Sequence, residues 1–390
     1  MSHPLINHSP DLQQLQTEGY EIEIRGGYLL VHHVPYVNAN RQICYGSLVS
    51  TLLLSGNRTQ RPDTHIMHWT GSQPCHKDGS KITAIEYVNN RSDFGQGIVS
   101  NHSFSNKPRD GYADYYAKMS RYAEIISGPA KSIDPNVTEK TFIRHASVAE
   151  SVFQYEDTNS CRAGIDNIND KLAGQKVTII GLGGTGAYIL DLLAKTKVAA
   201  IHLFDGDPFY QHNAFRSPGA ASLAQLSTTP KKVDYYAGIY SNIHKNVIPH
   251  PYYLGEGNLP ELDPMTFAFI SIDKNGARKR IIDHLLKVGI PFLDCGLGVN
   301  EESGALLATI RVTAASKEKN DHLSVRVPQH DNDDDLYKSN IQIAELNMIN
   351  AALAVVRWKQ FLGFYHDHIN WHQLTFTTNS AHLDTTDFTD

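Results

Sequence analysis

A strand-like run, Lys176–Ile180 (KVTII), leads directly into Gly181-Leu182-Gly183-Gly184-Thr185-Gly186, and the apolar helical segment AYILDLLAK follows. Glycines at such a junction permit a tight turn and let backbone N–H groups approach a phosphate at the positive end of a helix. The pattern alone occurs by chance; a strand before it and a helix after it make it a phosphate-loop candidate. At the end of the next strand sits Asp205, an acid that can hydrogen-bond a ribose hydroxyl. Asp207, Asn213 and Arg216 follow within DGDPFYQHNAFR, and Pro230-Lys231-Lys232 opens a further helix. Asp273 ends the strand FAFISI and opens D-K-N-G-A-R, which also holds Arg278. A dinucleotide has two phosphates that backbone amides largely satisfy, whereas a triphosphate undergoing cleavage needs cations on its leaving group and usually a metal. Arg216 and Lys231 are the candidate cations, and Asp273 is the candidate Mg²⁺ ligand. The glycine loop taken alone would suit a nicotinamide-dependent oxidoreductase, which stands as an alternative.

These residues need a sheet whose strands end together. From about residue 150, short apolar strands alternate with helical segments: KVTII, IHLF (Ile201–Phe204), VIPHPYY (Val247–Tyr253), FAFISI (Phe267–Ile272) and PFLD (Pro291–Asp294). That alternation predicts an α/β unit, a Rossmann-like parallel sheet wrapped by helices, over residues 151–390. Ala305–Val312 reads as a further strand and Asn340–Leu362 as a long helix closed by Gly363. Between them lies a polar crossover, Thr313 to Ser339, whose acidic run Asp331–Asp335 is expected to be a solvated loop. Residues 1–150 read as a smaller, strand-rich α+β domain: YEIEI, YLLVHHV and ICYGSLVSTLLL are rich in β-branched and aromatic residues. One helix interrupts it. Tyr112, Tyr115, Tyr116, Met119, Tyr122, Ile125 and Ile126 recur at helical spacing, a packing stripe expected to stop at Gly128-Pro129, with a linker from Ser132 to Glu139.

The composition sets the limits. At 390 residues, 41% hydrophobic and 19% charged, the chain has material for a core and for two or three domains. With 35 Lys+Arg against 41 Asp+Glu the net charge is −6, and there is no basic block to follow a nucleic-acid backbone. Cys44, Cys75, Cys161 and Cys295 lie far apart, without a C-x-x-C pair, which fits a reducing, cytoplasmic setting. No apolar run approaches the length of a membrane span, and the first residues lack a secretory pattern. His65, His68, Cys75 and His76 are dense but match no standard zinc spacing, so polar or core roles are favoured.

In order and rough spacing, G-x-G-G-x-G, D-x-D, N-x-x-R, the P-K pair and D-x-x-x-x-R resemble the ThiF/MoeB-type adenylating enzymes, the family that includes ubiquitin-activating enzymes. The resemblance covers about residues 155–365. It implies ATP and Mg²⁺ as ligands, with Gly181, Gly183, Gly184 and Gly186 forming the phosphate loop beside Asp207. It also implies Asp205 on the ribose, Asn213, Arg216 and Lys231 on the polyphosphate, and Asp273 on the metal. Arg162 resembles the arginine that reaches ATP from a neighbouring subunit, and Lys274 stands where the family has asparagine. The implied reaction is attack of a carboxylate on the α-phosphate, with a ubiquitin-like protein's C-terminus as substrate and a homodimer as the working form; residues 1–150 are expected to dock a ubiquitin-like or conjugating-enzyme (E2-like) partner. A peptide, a sulfur carrier or a small carboxylate is the alternative substrate. Thioester-forming members carry a cysteine in the crossover, and Thr313–Ser339 has none. Ser316, with His322 nearby in sequence, is therefore the candidate acyl acceptor, against a plain loop serine, while Cys295 reads as a buried structural residue. Direct transfer to a partner's thiol is the remaining route.

Overall fold

The computed structural model describes residues 4–143, 151–155, 157–163, 165–329 and 341–388, and the chain divides into two compact units, residues 1–170 and 171–390.

In the first unit six strands form one antiparallel sheet: β1 (Ile22–Arg25), β2 (Tyr28–Val37), β3 (Ile43–Thr51), β4 (Ile66–Trp69), β5 (Glu86–Val88) and β6 (His102–Ser105), in the order β1-β2-β3-β4-β6-β5. Helix α1 (Tyr115–Ile133) packs on one face. The Asp114 carboxylate caps it by accepting from the Ala117 N–H at 2.7 Å. Its tyrosine stripe is packing, as its spacing suggests: Tyr115, Met119 and Tyr122 are buried with Trp69, Met67 and Phe104. Each tyrosine also finds a polar partner, the Leu53 N–H donating to Tyr115 Oη and Tyr122 Oη donating to the His65 carbonyl. The helix does not stop at Gly128-Pro129 but runs four residues further with Pro129 inside it. Burial of Ile126 and Ala130 on the sheet offsets the one hydrogen bond that proline forfeits. The segment after it is no free linker either. Glu139 is buried and ion-paired with Lys131 at 2.6 Å, and Lys140 bridges back to Tyr20.

In the second unit the sheet has eight strands: β7 (Lys176–Ile180), β8 (Ala200–Phe204), β9 (Val247–His250), β10 (Phe267–Ile270), β11 (Phe292–Glu302), β12 (Ala305–Ala315), β13 (Trp371–Thr377) and β14 (His382–Phe388). Their order is β9-β8-β7-β10-β11-β12-β13-β14, parallel through β11 and antiparallel beyond it. The sheet is therefore mixed, with the last hairpin beyond what its threonine-rich, weakly apolar sequence announces. Helices α2 (Gly184–Leu193) and α5 (Ala344–Phe361) cover one face through Ile189, Leu190, Leu193, Ala351, Ala354 and Trp358. On the other face α4 (Asn275–Val288) buries Ile281, Ile282 and Leu285 against Ile180, Ile270 and Phe292. Coverage of both faces is why the parallel strands read as unbroken apolar runs. Each such side chain, fully buried, contributes roughly 1.5–3 kcal/mol.

Strand β11 does not end at Asp294 as the run PFLD suggests; it continues through Cys295 and Gly296-Leu297-Gly298 to Glu302. A Cβ on Gly296 would lie 2.8 Å from Arg311 Nη2, so the glycine makes room for a cross-strand guanidinium rather than ending the strand. Helix α5 starts at Ala344, and the acidic run Asp331–Asp335 lies outside the described residues. Among the described residues no helix is long and apolar enough to cross a membrane.

Candidate nucleotide site

The parallel strands reverse their order between β7 and β10, and the crevice at that reversal, above the carboxyl ends of the strands, is where open α/β sheets hold ligands. The glycine loop occupies it. Gly181 has φ +90°, and a Cβ there would lie 2.6 Å from the Ser271 carbonyl. On Gly186 a Cβ would meet the Gly181 carbonyl at 2.0 Å, and on Gly184 the Asn347 amide at 2.0 Å. These three glycines are demanded by packing. Gly183 differs: a Cβ there would meet nothing within 4 Å, so open space lies at the N-cap of α2, where the helix presents its positive end. Asn347 of α5 holds this turn from the side, accepting from Thr185 Oγ1 at 2.9 Å and donating to the Arg216 carbonyl.

Asp205 is buried, and both its oxygens are engaged. Oδ2 accepts from the Leu182 N–H at 2.7 Å and Oδ1 from the Asp207 N–H at 2.8 Å, so it braces the loop from below. Asp207 stands further out. It accepts from Lys232 Nζ at 2.7 Å and from the Tyr253 hydroxyl. Burial works to raise its pKa, but the bonds from Lys232 and Tyr253 and the charges of Lys232 and Lys274 hold it below the ordinary aspartate value. The same bond to Asp207 pushes the Tyr253 phenol up to about 12. The Tyr253 ring closes over Gly206, where a Cβ would lie 2.8 Å from it, and Lys274 Nζ is 5.2 Å from that ring's centre.

Of the paired lysines, Lys231 donates to the Gly206 carbonyl at 2.5 Å and occupies the N-cap position of helix α3 (Lys232–Tyr240), whereas Lys232 is buried between the two acids, 3.6 Å from Asp205 Oδ2. Asn213 is buried and caps the short helix Gln211–Ala214, its Oδ1 accepting from the Tyr210 N–H. Arg216 brings its guanidinium in among these groups. Burial lowers its pKa, and the charges of Tyr236, Asp273 and Asp207 work against that. Among the described residues its buried Nε has no hydrogen-bond partner, a donor free to meet an acceptor from a ligand. Asp273 is exposed at the end of β10, and the loop carrying it is tied down by Arg278. Arg278 turns inward: it donates to the Ile272 and Pro328 carbonyls and lies 3.0 Å from Asp294 Oδ2 in an ion pair. Asp294 is fully buried, and Arg311 Nη2 binds its other oxygen at 2.5 Å.

The orphaned donor, the open space at Gly183 and the lone exposed carboxylate suit a polyphosphate. A divalent cation held by one carboxylate and the ligand's own oxygens needs no preformed cage, and no cluster of three acids, histidines or cysteines exists among the described residues. Arg162 falls on helical backbone (Thr158–Ala163), but its side chain is outside the described residues.

Ser316 is not brought to this place. It follows Ala315, which pairs with Phe292; Phe292 pairs with Ala268, and Ala268 with Thr178. Ser316 thus lies off the entry edge of the sheet, about 10 Å or more below the glycine loop along the strands and roughly three strand spacings to the side. Its hydroxyl caps a turn, accepting from the Glu318 and Lys319 N–H groups. The proposed base, His322, is buried and engages the Ala314 carbonyl through Nε2 at 2.9 Å. Cys295 is buried, and burial pushes its thiol far up, which makes it inert as a nucleophile. Tyr253, Asn347, Asp294 and Arg311 escaped the reading of the sequence, and Lys232 and Lys274 were named there without a role. Only Lys232, beside the residue chosen, and Lys274, beside Asp273, carried a local signal.

A family model described as a domain of unknown function (DUF6791) matches residues 10–158. No curated protein matches the chain. Among solved structures, E. coli MccB with MccA-N7isoAsn is 18% identical at a TM-score of 0.43, covering 57% of this chain and 67% of that one. E. coli MccB with ATP is 17% identical at 0.43, with the same coverage. PaaA is 16% identical at 0.47, covering 85% of this chain and 98% of that one. Likenesses of this strength carry no argument about chemistry, which rests on the residues above.

Proposed function

We propose that the second unit is an ATP-dependent adenylating enzyme that activates the C-terminal carboxylate of a ubiquitin-like protein. The observation that carries the reading is the buried Nε of Arg216, without a hydrogen-bond partner among the described residues and set with Lys232 and the exposed Asp273 around the open N-cap of the glycine-loop helix. A carboxylate oxygen would attack the α-phosphorus, the α–β bridging bond would break, and pyrophosphate would leave with its added charge met by Arg216, Lys232 and the loop amides. Asp273 would hold Mg²⁺, which supplies charge neutralisation to the phosphates when bound. Catalysis of this kind is positioning and electrostatics and needs no protein nucleophile. With Cys295 inert and Ser316 at the other edge of the sheet, the acyl-adenylate would pass directly to a partner's nucleophile. A homodimer would cover Phe215 and Leu223, apolar residues 78% and 85% exposed that flank Arg216 in sequence.

The test is ATP–pyrophosphate exchange with a ubiquitin-fold protein ending in a free glycine carboxylate. Exchange that Asp273→Ala reduces at least ~100-fold supports the reading. Exchange with short peptides only moves the substrate to the peptide class, and tight NAD binding without exchange returns the site to an oxidoreductase. Light scattering reads the dimer as twice 43.4 kDa.

A further inference from the structure

The outer face of the first unit's sheet holds a second constellation that the proposed reaction does not use. Strand β2 is bulged at His32-His33, two residues standing opposite Ser47 of β3, with Val31 paired to Leu48 and Val34 to Gly46. His33 takes up the extra residue at φ +52°, a conformation that a non-glycine side chain resists. The bulge aims His32 at two partners. Its Nε2 is 2.8 Å from Glu23 Oε2, and its Nδ1 is 2.9 Å from Ser47 Oγ. Glu23 is buried on β1, where Arg25 grips it through Nε at 2.7 Å and Nη2 at 2.5 Å. Burial would raise its pKa, but His32 and Arg25 bring it down to about 2, so it is an ionised acceptor at neutral pH.

That fixes the tautomer. An ionised carboxylate only accepts, so a neutral His32 must carry its proton on Nε2 and donate it to Glu23. Nδ1 then has a lone pair, and the hydroxyl of Ser47 must be the donor to it. A serine donating to an imidazole whose other nitrogen is oriented by a buried acid is the general arrangement of an activated hydroxyl nucleophile. Ser47 and His32 are both partly exposed, and on the same face of the sheet Tyr28, Leu30, Val49 and Ile98, with Phe94 packed on them, form a small apolar cluster.

We infer that Ser47, His32 and Glu23 form a second reactive centre, in which Ser47 is acylated by carboxylic esters or thioesters. In the step, Ser47 Oγ bonds to the acyl carbon as its proton passes to His32 Nδ1. The carbon–oxygen or carbon–sulfur bond of the leaving group breaks, and the departing alkoxide or thiolate takes the proton from Nδ1. Water repeats the sequence to release the acid. The array itself includes no oxyanion donors, so activated acyl compounds, not amides, are the substrates expected.

The test uses the full chain with a fluorophosphonate probe, in which the serine oxygen bonds to phosphorus and fluoride leaves, followed by peptide mapping; p-nitrophenyl acetate gives a turnover readout. The inference expects the probe on Ser47, p-nitrophenol release lost in Ser47→Ala, and labelling slowed at least ~100-fold in His32→Asn when its circular dichroism and melting match wild type. A wild-type protein that carries no label at Ser47 overturns it without recourse to any variant. So does labelling of a well-folded His32→Asn at the wild-type rate. Neither result touches nucleotide turnover by the second unit, which Asp273→Ala tests separately.

Discussion

Among the described residues each unit buries one lysine, and the two are held in opposite ways. Lys118 of the first unit points from α1 into the core and donates to Ser50 Oγ at 2.8 Å. Burial lowers its pKa to about 7, with only the charge of Asp63 working against it. Lys232 of the second unit is equally hidden but stands between Asp205 and Asp207, beside a loop with open space at Gly183. The first is an ammonium that the core can relieve by taking away its proton. The second is a cation kept among carboxylates where a phosphate can compete for it. Burial of a charge is therefore not by itself the mark of a site; its partners and the free volume beside it are.

Four experiments put that contrast to the test. Lys232→Met should reduce ATP–pyrophosphate exchange by about 100-fold or more, while Lys118→Met should leave it within about twofold. If both variants lose exchange while keeping their melting temperatures, the contrast is wrong. Next in size is an effect on stability. Between about pH 7 and 10.5 the unfolded chain holds a proton on Lys118 that the folded chain has given up, so wild-type stability should rise with pH in that window. In Lys118→Met that rise should vanish, and the variant should be more stable at neutral pH by on the order of a few kcal/mol, read by denaturant titration at several pH values.

The third experiment compares two glycines one residue apart. Gly184→Ala drives a Cβ into Asn347 and should cost about 1–3 kcal/mol of stability. Gly183→Ala should melt as wild type but, if the proposed site holds, bind ATP more weakly in calorimetry, because its methyl group enters the open space at the N-cap of α2. The smallest effect belongs to Ser316→Ala and Cys295→Ala, whose exchange rates should stay within about twofold of wild type. A hydroxylamine-labile adduct mapped to either residue would contradict the geometry of the sheet.

The strands and helices that build the site were readable because their signal is local. KVTII followed by a glycine run and an apolar helix is a strand, turn and helix whatever else the chain does, and the structure has them over Lys176–Ile180 and Gly184–Leu193. The final hairpin was not readable. Trp371–Thr377 and His382–Phe388 carry strand-favouring Trp, Phe and Thr but no continuous apolar run, and they pair because β12 offers an edge.

By itself, then, the chain's order of residues determined the glycine loop and the acids beside it, since Gly181 directly follows one strand and Asp205 and Asp273 fall within a few residues of the ends of two others. Three things waited for the tertiary structure, because each depends on residues far apart in sequence. Register across four strands carried Ser316 away from the glycine loop. Packing from a helix more than 150 residues distant put Asn347 against that loop and made Gly184 obligatory. A one-residue bulge turned His32 toward Ser47 and Glu23, a meeting of three strands that no spacing along the chain encodes.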